Sequence, residues 1–174
     1  MKIVILGGTG LIGNALQKSF SNEHQVDCFN REAFQSVEHL ASLVEGSDLV
    51  IQLSGSTISK RWSNKIVKEM WQSRVDTNQM LSEVVKSLST KPRVICASGI
   101  SFYAESGCDE PKTEEDPKGE GYLTNLNIAI EDAARSISDE VIILRFGVVL
   151  SRQGGALQKL YWTIFLKSWS LRAE

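Results

Sequence analysis

Residues 2–13 read Lys-Ile-Val-Ile-Leu-Gly-Gly-Thr-Gly-Leu-Ile-Gly: a short apolar run, Lys2–Leu6, then Gly7-Gly8-Thr9-Gly10-Leu11-Ile12-Gly13, then a helical pattern over Leu11–Phe20. A buried strand that turns on glycines straight into a helix is the context a diphosphate-binding turn requires. Gly7 makes the tight turn out of the strand, Gly10 lets a pyrophosphate approach the backbone, and Gly13 lets the helix pack close to the sheet. The N–H groups that open the helix, at Leu11, Ile12 and Gly13, have no intrahelical partner and point at the anion. The helix dipole adds about 0.3–2 kcal/mol.

Outward from this turn, short β-branched runs alternate with longer helical patterns. Strands are expected at Gln25–Phe29, Asp48–Leu53, Arg93–Ala97 and Val141–Arg145, the last running on through Leu150. Helices are expected at Glu32–Leu43, over a long stretch from about Asn64 to Leu88, and at Asn125–Ile137. Strands apolar throughout are typical of a parallel sheet covered on both faces. Right-handed crossovers then give an α/β, Rossmann-like doubly wound parallel sheet of about five strands in the order 2-1-3-4-5. The region Ala104–Gly121, with two prolines and two glycines before its last residue, reads as a solvated surface loop rather than a substrate lid.

The 174 residues carry 19 Lys+Arg against 21 Asp+Glu, a net charge of −2, with 42% apolar and 23% charged residues. That is globular composition for one domain and gives no electrostatic footprint for nucleic acid. Val141–Leu150, the longest strongly apolar stretch, is broken by Arg145, so no bilayer span is expected. Three cysteines (Cys28, Cys96, Cys108) without C-x-x-C spacing argue for reduced thiols and a cytoplasmic location. His24 and His39 lack neighbours at ligand spacing, so no metal is expected.

The second strand exits as Phe29-Asn30-Arg31, and Asp27 lies near that strand's beginning. An acid at the strand end would accept from an NAD ribose; Arg31 there pairs with a 2′-phosphate instead, so NADP(H) is expected over NAD(H).

The chain resembles the extended short-chain dehydrogenases/reductases and, more narrowly, the atypical "epimerase family" proteins. The resemblance is carried by the glycine turn, Asn30-Arg31, Leu53-Ser54-Gly55, Arg61-Trp62, Ser73-Arg74-Val75, Ser98-Gly99, Phe102-Tyr103, Thr113-Glu114-Glu115, Glu131 and Arg145–Leu150. It implies an NADP(H)-dependent epimerase or oxidoreductase of a sugar nucleotide or related small molecule. It also implies that Arg31, Leu53, Ser54, Glu69, Arg74 and Val148 lie along the cofactor. Leu53-Ser54-Gly55 ends the third strand at its carboxyl edge, where ligands of such sheets bind. Glu69 and Arg74 are roughly 140° apart on an ideal helix, so at most one is expected to face a ligand directly.

Dehydrogenases of this superfamily combine a Ser or Thr after the fourth strand with Tyr-x-x-x-Lys on the next helix. Ser98 fits the first place; Tyr122 is the tyrosine near the helix start, but Leu126 stands where the lysine belongs. A leucine has no charge with which to depress a phenol pKa near 10. Tyr103, following the fourth strand, is the expected substitute acid. A non-catalytic dinucleotide-binding or redox-sensing module is the competing reading. A receiver-type fold is set aside because the first and third strands end in Leu6-Gly7 and Leu53-Ser54 rather than acids.

The resemblance further implies a substrate lobe beyond Leu157 that this text does not continue into. The expected organisation is a dinucleotide-binding domain over 1–156 and a divergent tail over 157–174, as in a truncated or frameshifted product. Leu157, Leu160, Tyr161, Ile164 and Phe165 form a helical stripe there, read as a docking helix. No motif names the substrate or the oligomeric state.

Overall fold

The computed structural model describes residues 1–105, 107, 110–158, 160 and 161. Strand β1 (Lys2–Leu6) leads through the glycine turn into α1 (Leu11–Phe20), and β2 (Gln25–Phe29) returns beside it. A 3₁₀ turn (Arg31–Phe34), α2 (Val37–Val44) and β3 (Leu49–Gln52) follow. Next come α3 (Asn64–Trp71), a π-helical turn (Gln72–Asp76) and α4 (Thr77–Ser87). The chain then runs through β4 (Arg93–Gly99), a 3₁₀ turn (Ile100–Phe102), α5 (Tyr122–Arg135) and β5 (Ile142–Phe146). The five strands are parallel in the order β2-β1-β3-β4-β5, as the sequence pattern predicts.

Period-two alternation sorts the strand residues between two apolar layers. Val4, Leu6, Val50, Val94 and Cys96 point into one layer with Leu40, Val44, Leu81, Val84 and Val85 of α2 and α4. Ile3, Ile5 and Ile51 point the other way, under Leu16 and Phe20 of α1. A third cluster, Met70, Val75, Leu126, Ile130 and Ala133, locks α3 and the π turn onto α5.

The elements depart from the sequence expectation in four places. The helix expected at Glu32–Leu43 is a 3₁₀ turn and a shorter α2, because Ser36 interrupts it and caps α2 by accepting from the His39 N–H at 3.1 Å. The long helix over 64–88 is broken by the π turn. Helix α5 begins at Tyr122, not Asn125. The last strand stops at Phe146; Leu150–Ser151 (β6) pairs instead with Gly154–Gly155 (β7) in a small antiparallel hairpin. Among the described residues, no helix is long and apolar enough to cross a membrane. Lys159 and residues 162–174, and with them Ile164 and Phe165 of the expected docking helix, lie outside the described residues.

Candidate functional site

The glycine turn is held from beneath. The Gly7 and Gly8 N–H groups donate to the Phe29 carbonyl at 2.7 and 3.2 Å. The Asn30 carboxamide oxygen accepts from both the N–H and the hydroxyl of Thr9, at 3.1 and 2.7 Å. Asn30 thus anchors the turn. Gly7 has φ +92°, and a Cβ there would lie 2.8 Å from the Leu53 backbone. A Cβ on Gly13 would lie 2.6 Å from the Gly7 carbonyl oxygen. A Cβ on Gly10 would meet only that same oxygen, at 3.2 Å, and otherwise open space. No side chain caps α1 and no acid sits in its first turn, so the amides of Leu11, Ile12 and Gly13 present an uncompensated positive end.

Two clefts meet at the end of β3 along the carboxyl edge of the sheet, one of them bordered by this turn. One, of about 630 Å³, is lined by Gly7, Gly10, Asn30, Arg31, Glu69 and the π-turn residues Gln72 and Ser73. The other, of about 820 Å³, is lined by Gln52, Arg74, Asn78, Ser98, Asn127 and Val148. Leu53, Ser54 and Gly55 line both. Arg31 lies in the first cleft with its guanidinium 3.0 Å from the Glu69 carboxylate and its side chain 80% exposed.

The π turn changes the expectation for Glu69 and Arg74. Both line a cleft, but different ones. The extra residue in the turn brings Ser73 and Arg74 under the chain leaving β3: Ser73 Oγ accepts from the Ser56 N–H at 2.9 Å, and Arg74 Nη2 donates to the Ser56 carbonyl at 2.7 Å. Irregular helical turns of this kind concentrate at ligand sites. Arg74 is half-buried and has no carboxylate partner among the described residues. Burial pulls its pKa down, with the nearby Tyr122 phenol opposing.

The clefts also collect unpaired polar atoms. Among the described residues, four buried side-chain atoms lack a hydrogen-bond partner, and three of them (Gln52 Nε2, Ser54 Oγ and Ser56 Oγ) fall within five residues where the chain leaves β3, Ser54 on the shared rim and Gln52 on the larger cleft. Such atoms are costly unless a ligand engages them.

The three candidate catalytic hydroxyls do not converge. Ser98 lines the larger cleft, and its hydroxyl donates to Glu131 Oε1 at 2.9 Å. Tyr103 lies outside that cleft, its hydroxyl accepting from Arg145 Nη1 at 2.8 Å. Tyr122 donates to the Val67 carbonyl at 2.9 Å and sets its ring edge-on to Trp62. Burial raises the Tyr122 pKa against the pull of Arg74, opposite to what a proton donor near neutrality needs. Tyr103 and Tyr122 share a separate hollow of about 690 Å³, which meets the larger cleft at Ser101 and Leu123.

Sequence reasoning did not assign the group that joins two of these hydroxyls. Glu131 is fully buried and takes hydrogen bonds from Ser98, Arg135 and, at two points, Arg145. An acid on the apolar face of one helix and a cation inside an apolar strand were the available signal, because buried opposite charges must pair.

A parallel 2-1-3-4-5 sheet with a glycine turn, clefts along its carboxyl edge and a serine near the end of β4 is the arrangement of an extended short-chain dehydrogenase/reductase. The chain belongs to the NAD dependent epimerase/dehydratase family, which it matches over residues 3–152. It is 31% identical to the mouse epimerase family protein SDR39U1 over 92% of this chain and 58% of that one. The crystal structure of human SDR39U1 (isoform 2) with NADPH superposes with a TM-score of 0.79 at 27% identity, covering 93% of this chain and 59% of that one. A nucleoside-diphosphate sugar epimerase from Corynebacterium glutamicum gives a TM-score of 0.75 at 30% identity, over 92% of this chain and 36% of that one. The chain thus spans less than three-fifths of the mouse and human relatives' length.

Proposed function

We propose that the chain binds NADP(H) across its two clefts as part of an epimerase or oxidoreductase of a sugar nucleotide or related small molecule. The observation that carries this reading is the run of unpaired polar atoms at residues 52–56, beside a glycine turn with a free helix N-terminus. Polar atoms left open beside an anion cradle suit a ligand with a diphosphate at its centre. The NADPH in the human relative supports the same assignment.

In this reading Gly7, Gly10, Leu11, Ile12 and Gly13 cradle the diphosphate and Asn30 holds the cradle in shape. Arg31 meets the 2′-phosphate, and Glu69 orients Arg31. Leu53, Ser54 and Gly55 pass along the dinucleotide, while Arg74 braces that rim and Val148 closes the larger cleft. When bound, the nicotinamide exchanges a hydride with the substrate. Ser98, whose proton is committed to Glu131, offers its oxygen lone pairs to a substrate hydroxyl. Tyr103 accepts from Arg145 and so keeps its own proton to give. Tyr122, engaged with Val67, holds α3 against α5. Free Cys28 and Cys96 suit a reducing, cytoplasmic compartment.

A second reading, a dinucleotide-binding module without turnover, is favoured by one specific observation. Leu126, one helical turn after Tyr122, is buried in the α3–α5 cluster and supplies no charge. Titration of the purified chain with NADPH and NADH, followed by product analysis on sugar nucleotides, tests both. NADPH binding with sugar conversion supports the enzyme; binding without conversion supports the module; no shift in melting temperature with either nucleotide rejects both.

A further inference from the structure

Gln52 is the last residue of β3, paired with Leu6 on one side and Cys96 on the other. It is only 3% exposed, yet it lines the larger cleft. Its Oε1 accepts from the Ser54 N–H at 3.1 Å. That contact fixes which end of the carboxamide is which, since a backbone N–H cannot donate to an NH₂ group. Nε2 is thereby left with two donors and no partner. Of the other carboxamides lining this cleft, Asn78 donates to the Ile130 carbonyl at 3.2 Å, Asn127 donates to the Gly99 carbonyl at 3.3 Å, and Gln158 is exposed to water. Gln52 therefore holds the one buried carboxamide nitrogen on this lining, among the described residues, with no hydrogen-bond partner.

Its position narrows what the donor is for. A dinucleotide whose diphosphate sits on the glycine turn, with its adenosine half beside Arg31, must carry its other half over Leu53–Gly55 into the larger cleft. The first group to enter after the phosphates is a ribose, a vicinal diol rich in acceptors. Gln52 immediately precedes that rim. Ser98 lies on β4, further along the edge toward β5, and the wall from α5 offers Leu123, Leu126 and Ile130, which have nothing to donate, and Asn127, whose amide already donates to the Gly99 carbonyl.

We infer that Gln52 is the donor that holds the second ribose of the bound dinucleotide. This rests on the NADP(H) reading above and adds a residue to it. An amide donor carries no charge, so it fixes the ribose without altering the protonation of any neighbouring hydroxyl.

Three probes separate the parts of the ligand. 2′-Phospho-ADP (adenosine 2′-phosphate 5′-diphosphate) keeps the diphosphate and ends before the second ribose, 2′-phospho-ADP-ribose includes it but lacks nicotinamide, and NADPH has both. Each is titrated calorimetrically against the full chain and against Gln52→Met, which keeps the side chain's length and removes its donors. The expected result is a loss of about fivefold to tenfold, what one neutral hydrogen bond is worth, for NADPH and 2′-phospho-ADP-ribose alike, with 2′-phospho-ADP unchanged. Gln52→Glu keeps the acceptor for the Ser54 N–H and serves if Gln52→Met does not fold. Its readout is the ratio of 2′-phospho-ADP-ribose to 2′-phospho-ADP affinity, in which the charge effect on the shared phosphates cancels. Loss confined to NADPH would assign Gln52 to the nicotinamide, and equal affinities throughout would make its role internal; either overturns the inference. Failure of the unaltered chain to bind any of the three overturns the NADP(H) reading itself.

Discussion

Arg145 grips Glu131 at two points, its Nε lying 2.7 Å from Oε1 and its Nη2 2.7 Å from Oε2. The pair ties the edge strand β5 to α5, and through Ser98 and Tyr103 it reaches β4 and the end of the turn that follows it. Arg145 also stacks on the Phe102 ring at 3.5 Å from its centroid. Burial alone would push the Glu131 carboxyl up. The hydrogen bonds from Arg145 and Ser98, with Arg145's charge, hold it below its ordinary value. A depressed carboxylate stabilises the fold above the unfolded-state pKa of about 4.3 and loses that contribution as pH falls through the folded value.

Glu131→Gln is expected to cost about 3–5 kcal/mol, since it leaves the largely buried Arg145 guanidinium without its counter-ion. Chemical denaturation at pH 7 measures this. The unaltered protein should also lose stability more steeply than the variant below about pH 4. Parallel acid limbs would show that Glu131 is not ionised in the fold.

Gly13 and Gly10 should separate folding from binding. A Cβ at Gly13 meets fixed backbone at 2.6 Å, so Gly13→Ala is expected to destabilise by about 1–3 kcal/mol. Gly10 has φ −69°, open to any residue. Gly10→Ala is expected to leave the melting temperature nearly unchanged while lowering NADPH affinity at least about tenfold, by filling the approach a diphosphate needs. Thermal melts with and without NADPH distinguish the two.

Much of the fold was legible because strand burial writes itself into composition. Ile3–Leu6 and Leu49–Gln52 are apolar or nearly so, and glycine turns admit few alternatives. The π turn was not legible: Gln72–Asp76 carries ordinary helical residues, and only the contacts of Ser73 and Arg74 with Ser56 explain the extra residue. The hairpin at Leu150–Gly155 was hidden for a similar reason, since Val148-Val149-Leu150 has strand propensity on either path. In the site, the cradle followed from local spacing, whereas the destination of each hydroxyl depends on partners far along the chain. Tyr122 and Val67 are 55 residues apart, and Ser98 and Glu131 are 33 apart. Gln52 was invisible for a different reason, because an unpaired amide is defined by what every neighbour leaves undone.

Cys96 should be chemically silent in the folded protein. It is buried in β4, and burial pushes its thiol up to about 12. At pH 8 only roughly one thiol in 10⁴ would be ionised, and the thiolate is the reactive form. Iodoacetamide followed by peptide mass mapping should find Cys96 unmodified until denaturant is added. Rapid native labelling would contradict the closed layer between β4 and α4.

Arg31 should decide between the two nicotinamide cofactors. Its ion pair with Glu69 is solvent-exposed, so it adds little to stability, about 0–1 kcal/mol. Arg31→Ala is therefore expected to leave the melting temperature within a degree or two of the unaltered chain. A 2′-phosphate offers the same guanidinium a stronger, charge-assisted partner, worth about 1.5–3 kcal/mol. NADPH affinity should accordingly fall by about 10- to 100-fold in the variant, while NADH affinity changes less than about threefold. Glu69→Gln tests the same arrangement from the other side. Removing the carboxylate frees Arg31 and relieves repulsion of the phosphate, so NADPH should bind more tightly and NADH as before. Raising the ionic strength should narrow the preference, because these groups are open to solvent. Equal losses for both nucleotides in Arg31→Ala would leave Arg31 stacking on the adenine ring rather than reading the phosphate.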